Sequence, residues 1–240
     1  MGRGFRTTAG IGAGHSLLQC IDSGGTATTG RVRAGRSHNV LDGSVTRRPD
    51  PEFIDEMRAL EPAYLEHLDP IGRSGFGGGA ERWEAERRPL TKGIDRSGSF
   101  LDVGCANGWL ARCVAEWCAE AGLAIEAFGV DIGAGLVAEA RTRLTDAWAA
   151  DAWNWEPPRR FTYVYSLVDL APPDLLDDWL ARLASWVEPD GRLVIGSYGS
   201  ESRAIEPDDV TAALAMAGYV AAGSSTGGNR PIARFAWAQL

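Results

Sequence analysis

The sequence predicts an α/β protein: a doubly wound, mostly parallel seven-stranded sheet closed by an antiparallel C-terminal hairpin, with a short or missing third strand. Three observations carry this reading. Strand-like and helix-like segments alternate from residue 99 onward. A hydrophobic run turns through glycines straight into a helix at "FLDVGCANGWL", residues 100–110. The last two strand-like runs follow one another with only a glycine-rich stretch between them, as a hairpin requires.

Strands are expected at 99–104, 126–131, 161–167 and 191–198, and helices at 107–121, 134–147 and 173–187. In the last helix Leu176, Trp179, Leu180, Leu183, Trp186 and Val187 line one face. "EPDGR" (188–192) turns the chain into a nearly continuous apolar strand, the pattern of a sheet covered on both faces. A further helix starts at "EPDD" with Pro207 in its first turn and runs to about Gly218. Final strands near 219–224 and 232–239 flank "SSTGGNRP", read as the hairpin loop. Only "WAA" separates the second helix from Asp151, so the third strand has little room.

Ahead of this body, residues 1–48 read as a disordered leader. They are rich in glycine and arginine, and no period of 2 or 3.6 persists there. Residues 49–95 read as a helical lid segment with Phe53, Met57, Leu60, Tyr64 and Leu65 at near-helical spacing. A glycine-rich loop and a charged helix bearing Trp83 follow. Residues 96–240 form the main domain.

Composition narrows the function. Of 240 residues 45% are hydrophobic, and the net charge of −8 combines about +4 in residues 1–50 with about −12 beyond them. An acidic body is a poor match for a phosphate backbone, so nucleic acid is not expected as substrate. No apolar run suits a membrane span. Cys20, Cys105, Cys113 and Cys118 form no C-x-x-C pair, so reduced thiols and a cytoplasmic location are expected. A monomer or homodimer is expected, with no bound metal.

In an open parallel sheet the ligand sits beyond the carboxyl ends of the strands, where Asp102, Gly104 and Gly108 fall. Such glycine turns usually hold a pyrophosphate at a helix N-terminus. A carboxylate two residues before the first glycine would repel it, whereas a ligand with a cation there is attracted. S-adenosylmethionine carries an ammonium and a sulfonium and no phosphate. Asp131, ending the next strand, can accept both vicinal hydroxyls of a ribose. Ile132 can wall an adenine, and Asp151 with Ala152 can address its amine edge.

With these residues in place, residues 98–200 resemble the class I S-adenosylmethionine-dependent methyltransferases, of the bacterial small-molecule type and Rossmann-like fold. The matching segments are "FLDVGCANG", "FGVDIG", "ADAWNW", "FTYVYSLVDL" and "VEPDGRLVIGSYG". "SGFGGGAERWEAERRPL" looks like the helical lead-in that covers the cofactor in such proteins. The resemblance implies that Asp102, Gly104, Cys105, Ala106 and Gly108 line the methionine and ribose, with Asp131 on the ribose and Ile132, Asp151 and Ala152 at adenine. It also puts Ser166 near the methionine, and Trp83 closes the lid. There are departures. Ala106 replaces the middle glycine, which is tolerable if its φ stays negative, and Thr162 stands where many members carry an acid.

Methyl transfer draws much of its rate from alignment, so no dramatic catalytic group is required. His67, Tyr165 and Asp169 are the candidate bases. No Asn-Pro-Pro-Tyr-like segment follows the fourth strand, which leaves a small organic acceptor, in specialised metabolism, as the expected substrate class. Trp148, Trp153, Trp155 and Tyr198 are candidates to wall its pocket. The competing readings are an NAD(P)-dependent oxidoreductase and a non-catalytic S-adenosylmethionine-binding partner domain.

Overall fold

Residues 47–228, 230 and 232–240 are described by a computed structural model of the chain. The stretch read as a leader lies outside the described residues, apart from Arg47 and Arg48. Both already touch the body: the Arg47 backbone and side-chain N–H groups donate to Asp178, and Arg48 to the Asn154 side chain.

The strands are β1 (Gly98–Val103), β2 (Ile125–Asp131), β3 (Asp146–Ala149), β4 (Phe161–Leu167), β5 (Val187–Tyr198), β6 (Ala221–Gly227) and β7 (Ala233–Gln239). They form one sheet in the order β3-β2-β1-β4-β5-β7-β6. β1 to β5 run parallel, and β7 lies antiparallel to both β5 and β6. The chain moves outward from β1 to β3 and then crosses back to β4. The strand order therefore reverses between β1 and β4, and a crevice opens at their carboxyl ends.

Seven α-helices are described: α1 (Pro51–Arg58), α2 (Glu61–Leu65), α3 (Ala80–Arg87), α4 (Trp109–Glu120), α5 (Ala134–Ala140), α6 (Leu176–Ser185) and α7 (Val210–Met216). Strand side chains alternate between two cores. Phe100, Tyr163, Tyr165 and Phe235 pack with Trp83, Val114 and Trp117 on one face. Leu101, Val103, Val164, Leu193 and Ile195 pack with Trp179, Leu180 and Leu183 of α6 on the other. Each such fully buried side chain contributes about 1.5–3 kcal/mol, and this sets which face α6 presents.

Several boundaries differ from the sequence reading. The helix expected over 134–147 stops at Ala140, because Leu144 turns inward against Gly108 and Gly129. The Thr145 N–H then reaches the Ala127 carbonyl at 2.8 Å, and β3 forms after all. "EPDG" is drawn into β5, with Asp190 in the left-handed region at φ 59°. Pro207 precedes α7 rather than starting it. Asp209 is the cap, its carboxylate accepting from Thr211 and Ala212 N–H at 3.1 and 3.0 Å. β6 runs to Gly227 and absorbs half of the expected hairpin loop.

Candidate functional site

A cavity of about 1270 Å³, measured with its open mouth, fills the crevice. Its walls combine the β1, β2 and β4 ends with α1, α2, α3 and the turn at 168–170.

The turn after β1 is shaped by positive φ. Gly104 has φ 83°, and a Cβ there would meet the Leu170 side chain at 2.6 Å. Gly108 has φ 75° and caps α4. Ala106 stands at φ 45°, so the condition of a negative φ, on which alanine was tolerable there, is not met. Its N–H donates to the Asp131 Oδ2 at 2.8 Å, and this bond holds a non-glycine residue in a disfavoured region.

The turn's N–H groups are spoken for. Gly104 and Cys105 N–H both donate to the Val130 carbonyl, at 2.8 and 3.1 Å, and Gly108 N–H to the Cys105 carbonyl at 2.8 Å. Trp109 N–H is capped by the Asn107 side chain at 3.2 Å. A pyrophosphate cradle needs such donors open, and here the backbone uses them internally.

Asp102 is 2% exposed, and no group among the described residues donates to it. Burial first and the Asp131 charge second push its carboxyl up to about 8. Asp131, half-buried, accepts from Ala106 N–H and, at 2.8 Å, from Gly133 N–H. Removal from water raises its pKa, Glu61 adds to that, and the two N–H donors oppose it. Burial, with both acids nearby, holds the Cys105 thiol well above its usual range, so it stays protonated.

Asp102, Gly104, Cys105, Ala106, Asp131, Ile132, Asp151, Ala152, Trp83, Tyr165 and Asp169 all line this one cavity. Gly108, Ser166 and His67 do not. Gly108 turns toward Ala140 and Leu144, and the fully buried Ser166 hydroxyl donates to the Leu167 carbonyl at 3.2 Å. The half-buried His67 packs against Gly72.

Asp151 organises its own loop, accepting from Trp153 N–H at 2.9 Å and from the Asn154 amide. Trp83 serves two ends: it packs on Trp109 and Trp117, with centroids 6.5 and 5.6 Å away, and also reaches the cavity wall. The Tyr165 hydroxyl lies 3.1 Å from that of Tyr198. Burial, followed by Tyr198, holds its proton far above the usual range, so Tyr165 is a neutral phenol rather than a ready base. Of the tryptophans named as pocket walls, Trp153 lines the cavity, whereas Trp148 and Trp155 pack outside it.

Phe53, Met57, Glu61, Tyr64, Arg87 and Trp179 were not legible as site residues, yet all line the cavity. The near-helical spacing of Phe53, Met57 and Tyr64 was the available signal. Arg87 had none, being one charge among many in "AERWEAERRPL". Among the described residues, no group of three or more His, Cys, Asp or Glu side chains could hold a metal ion. No helix there is long and apolar enough to cross a membrane.

Residues 100–191 match the family model described as a methyltransferase domain. No curated protein matches the chain. Among solved structures, it is similar to the 1,6-didemethyltoxoflavin-N1-methyltransferase of Burkholderia thailandensis, crystallised with 1,6-didemethyltoxoflavin and S-adenosylhomocysteine. The TM-score is 0.57 at 17% identity, over 83% of this chain and 92% of that one. The magnesium protoporphyrin IX methyltransferase of Synechocystis PCC 6803, with S-adenosylhomocysteine bound, gives 0.54 at 15% identity, over 78% and 99%. The N-methyltransferase NodS of Bradyrhizobium japonicum WM9 gives 0.51 at 14%, over 78% and 96%. These likenesses establish a shared fold.

Proposed function

Taking residues 100–191 as the methyltransferase domain that their sequence matches, we propose that the protein transfers a methyl group from S-adenosylmethionine to a small organic acceptor, in specialised metabolism. One observation carries the cofactor assignment: a buried Asp102 carboxyl group at the switch point to which no group among the described residues donates. Such a group is costly unless a cation or donor meets it, and the ammonium of a methionine moiety supplies both.

The residues present fit that cofactor. Asp131, positioned by Ala106 and Gly133 N–H, has lone pairs left for the ribose hydroxyls. Ile132 would flank the adenine, and Asp151 with Ala152 would face its amine edge. Gly104, Cys105 and Ala106 would lie along the methionine and ribose. When bound, the cofactor supplies an electrophilic methyl carbon, whose transfer leaves the C–S bonding pair on sulfur as a neutral thioether. The protein aligns the acceptor lone pair with that carbon and excludes water from the crevice. Tyr165 and Asp169 border the acceptor side; the first can hold an acceptor heteroatom by hydrogen bonding, and the second can take its proton. His67, off the cavity, has no part in this scheme. The small-molecule acceptors named for the structural neighbours support the substrate class.

Calorimetry with S-adenosylhomocysteine and with NAD tests the reading. S-adenosylhomocysteine is expected to bind and NAD not. At pH 7 binding should release a proton, since Asp102, at about 8, is protonated in the free protein and ionises against the ammonium. Tight NAD binding with no S-adenosylhomocysteine binding would overturn it.

A further inference from the structure

Arg87, the last residue of α3, lines the same cavity with its side chain only 6% exposed. Its guanidinium lies between two aromatic rings, 4.3 Å from the Phe76 centroid and 4.1 Å from that of Tyr198. Both rings approach the guanidinium closely enough for cation–π contact. One N–H, on Nη1, donates to Glu86 Oε2 at 2.7 Å, while the other Glu86 oxygen accepts from Arg82 at 2.6 Å. One carboxylate therefore serves two guanidiniums, and the cluster keeps a net positive charge. The remaining Arg87 donors have no acceptor among the described residues.

An arginine carries five donors in a planar fork suited to two carboxylate oxygens. With one donor used on Glu86 and no Arg87 nitrogen among the buried atoms that lack a partner, the remaining donors open to the cavity, where a ligand can take them. The cavity is also polarised. Asp102 and Asp131 mark one end and Arg87 the other, with Tyr165 between them, paired with Asp102 across the β1–β4 ladder and bonded to Tyr198. Trp83 and Tyr198 wall the positive end with flat rings.

We infer that the methyl acceptor is a planar aromatic carboxylic acid whose carboxylate is held by Arg87, away from the methyl donor. Arg87 is then the specificity-determining residue, and the inference rests on the methyl-donor reading above. With that end anchored, the accepting atom sits toward Tyr165.

The test uses the full chain at pH 7 with saturating S-adenosylhomocysteine. Binding of benzoate, 4-hydroxybenzoate and anthranilate is measured against their primary amides by calorimetry. At least one acid is expected to bind about 30-fold more tightly than its amide, the size of a charge-assisted pair. Arg87→Gln should abolish that preference, and Arg87→Lys should restore part of it. S-adenosylhomocysteine affinity should remain within about threefold of wild type, since no hydrogen bond or ion pair joins Arg87 to Asp102 or Asp131. If Arg87→Gln fails to fold, Arg82→Gln, at a half-exposed position off the cavity, gives the second measurement. Freed of its competitor, Glu86 neutralises Arg87, and the acid preference should fall about threefold. Equal binding of acid and amide in wild type, no saturable acid binding, or a preference untouched by the variants overturns the proposal. Wild-type protein that fails to bind S-adenosylhomocysteine refutes the donor reading instead, and the acid-to-amide ratio is then read on the free protein.

Discussion

The two ends of the cavity are built in different ways. The end holding Asp102 and Asp131 comes from one β-α-β stretch, and backbone N–H groups fix its geometry: Ala106 and Gly133 hold the Asp131 carboxylate, and Val130 anchors the turn. The end holding Arg87 comes from side chains of α3, β4 and β5, brought together only by tertiary packing. A site made from local backbone keeps its shape while its neighbours vary. A site made from distant side chains changes with each substitution, so one scaffold can keep a donor and alter its acceptor.

Asp102→Asn should break that contrast most sharply. Removing the charge is expected to weaken S-adenosylhomocysteine binding by about 30-fold at pH 8. It should also flatten the pH profile. In wild type, affinity should rise as the pH climbs toward about 8 and level above it, because a carboxyl with that pKa must ionise to meet the ammonium. Asp131 is the other acid facing it, and the Cys105 thiol and Tyr165 phenol stay protonated across this range. Folding stability of the free protein should move the opposite way. Asp102 binds its proton more tightly folded than unfolded, so its contribution falls between about pH 4 and pH 8. Thermal denaturation with and without ligand checks both signs; a free-protein Tm that climbs through this window would contradict the environment assigned to Asp102.

Asp131→Ala should follow, weakening S-adenosylhomocysteine binding by at least about tenfold while leaving any acid-to-amide preference in place. Unchanged affinity would remove the ribose assignment. A smaller effect of opposite sign is expected at Ala106. At φ 45° glycine relieves steric strain, so Ala106→Gly should stabilise by up to about 1 kcal/mol in chemical denaturation. His67→Ala should be smallest, with kcat/KM within about twofold of wild type, because the ring packs on Gly72 outside the cavity. A tenfold loss would return His67 to the reaction.

The sequence disclosed the end holding Asp102 and Asp131 because that end obeys local rules. A glycine turn after an apolar run, then an acid closing the next strand, can be read within about thirty residues. Ala106 was misjudged even there, since its φ depends on the bond to Asp131, which spacing does not show. β3 was nearly lost for a related reason: "TDAWAA" continues a helical pattern, and only Leu144 packing against Gly108 and Gly129 ends the helix early. The end holding Arg87 stayed hidden because a buried arginine and a solvated one look alike in "EAERRPL". What separates them is the pair of rings from positions 76 and 198.

Glu61 of α2 shows where the working unit begins. Its carboxylate accepts from the N–H groups of Gly135 and Leu136, at 2.5 and 3.2 Å, and so completes the first turn of a helix 74 residues downstream. Tyr64 of α2 is buried in one cluster with Ala106 and Leu136. The span that matches the methyltransferase family is therefore no autonomous module. Cutting the chain just before β1 would strip two amide donors of their acceptor and bare an apolar seam beside Asp131. A shortened protein that fails to bind would then report a torn wall rather than a missing reactive group.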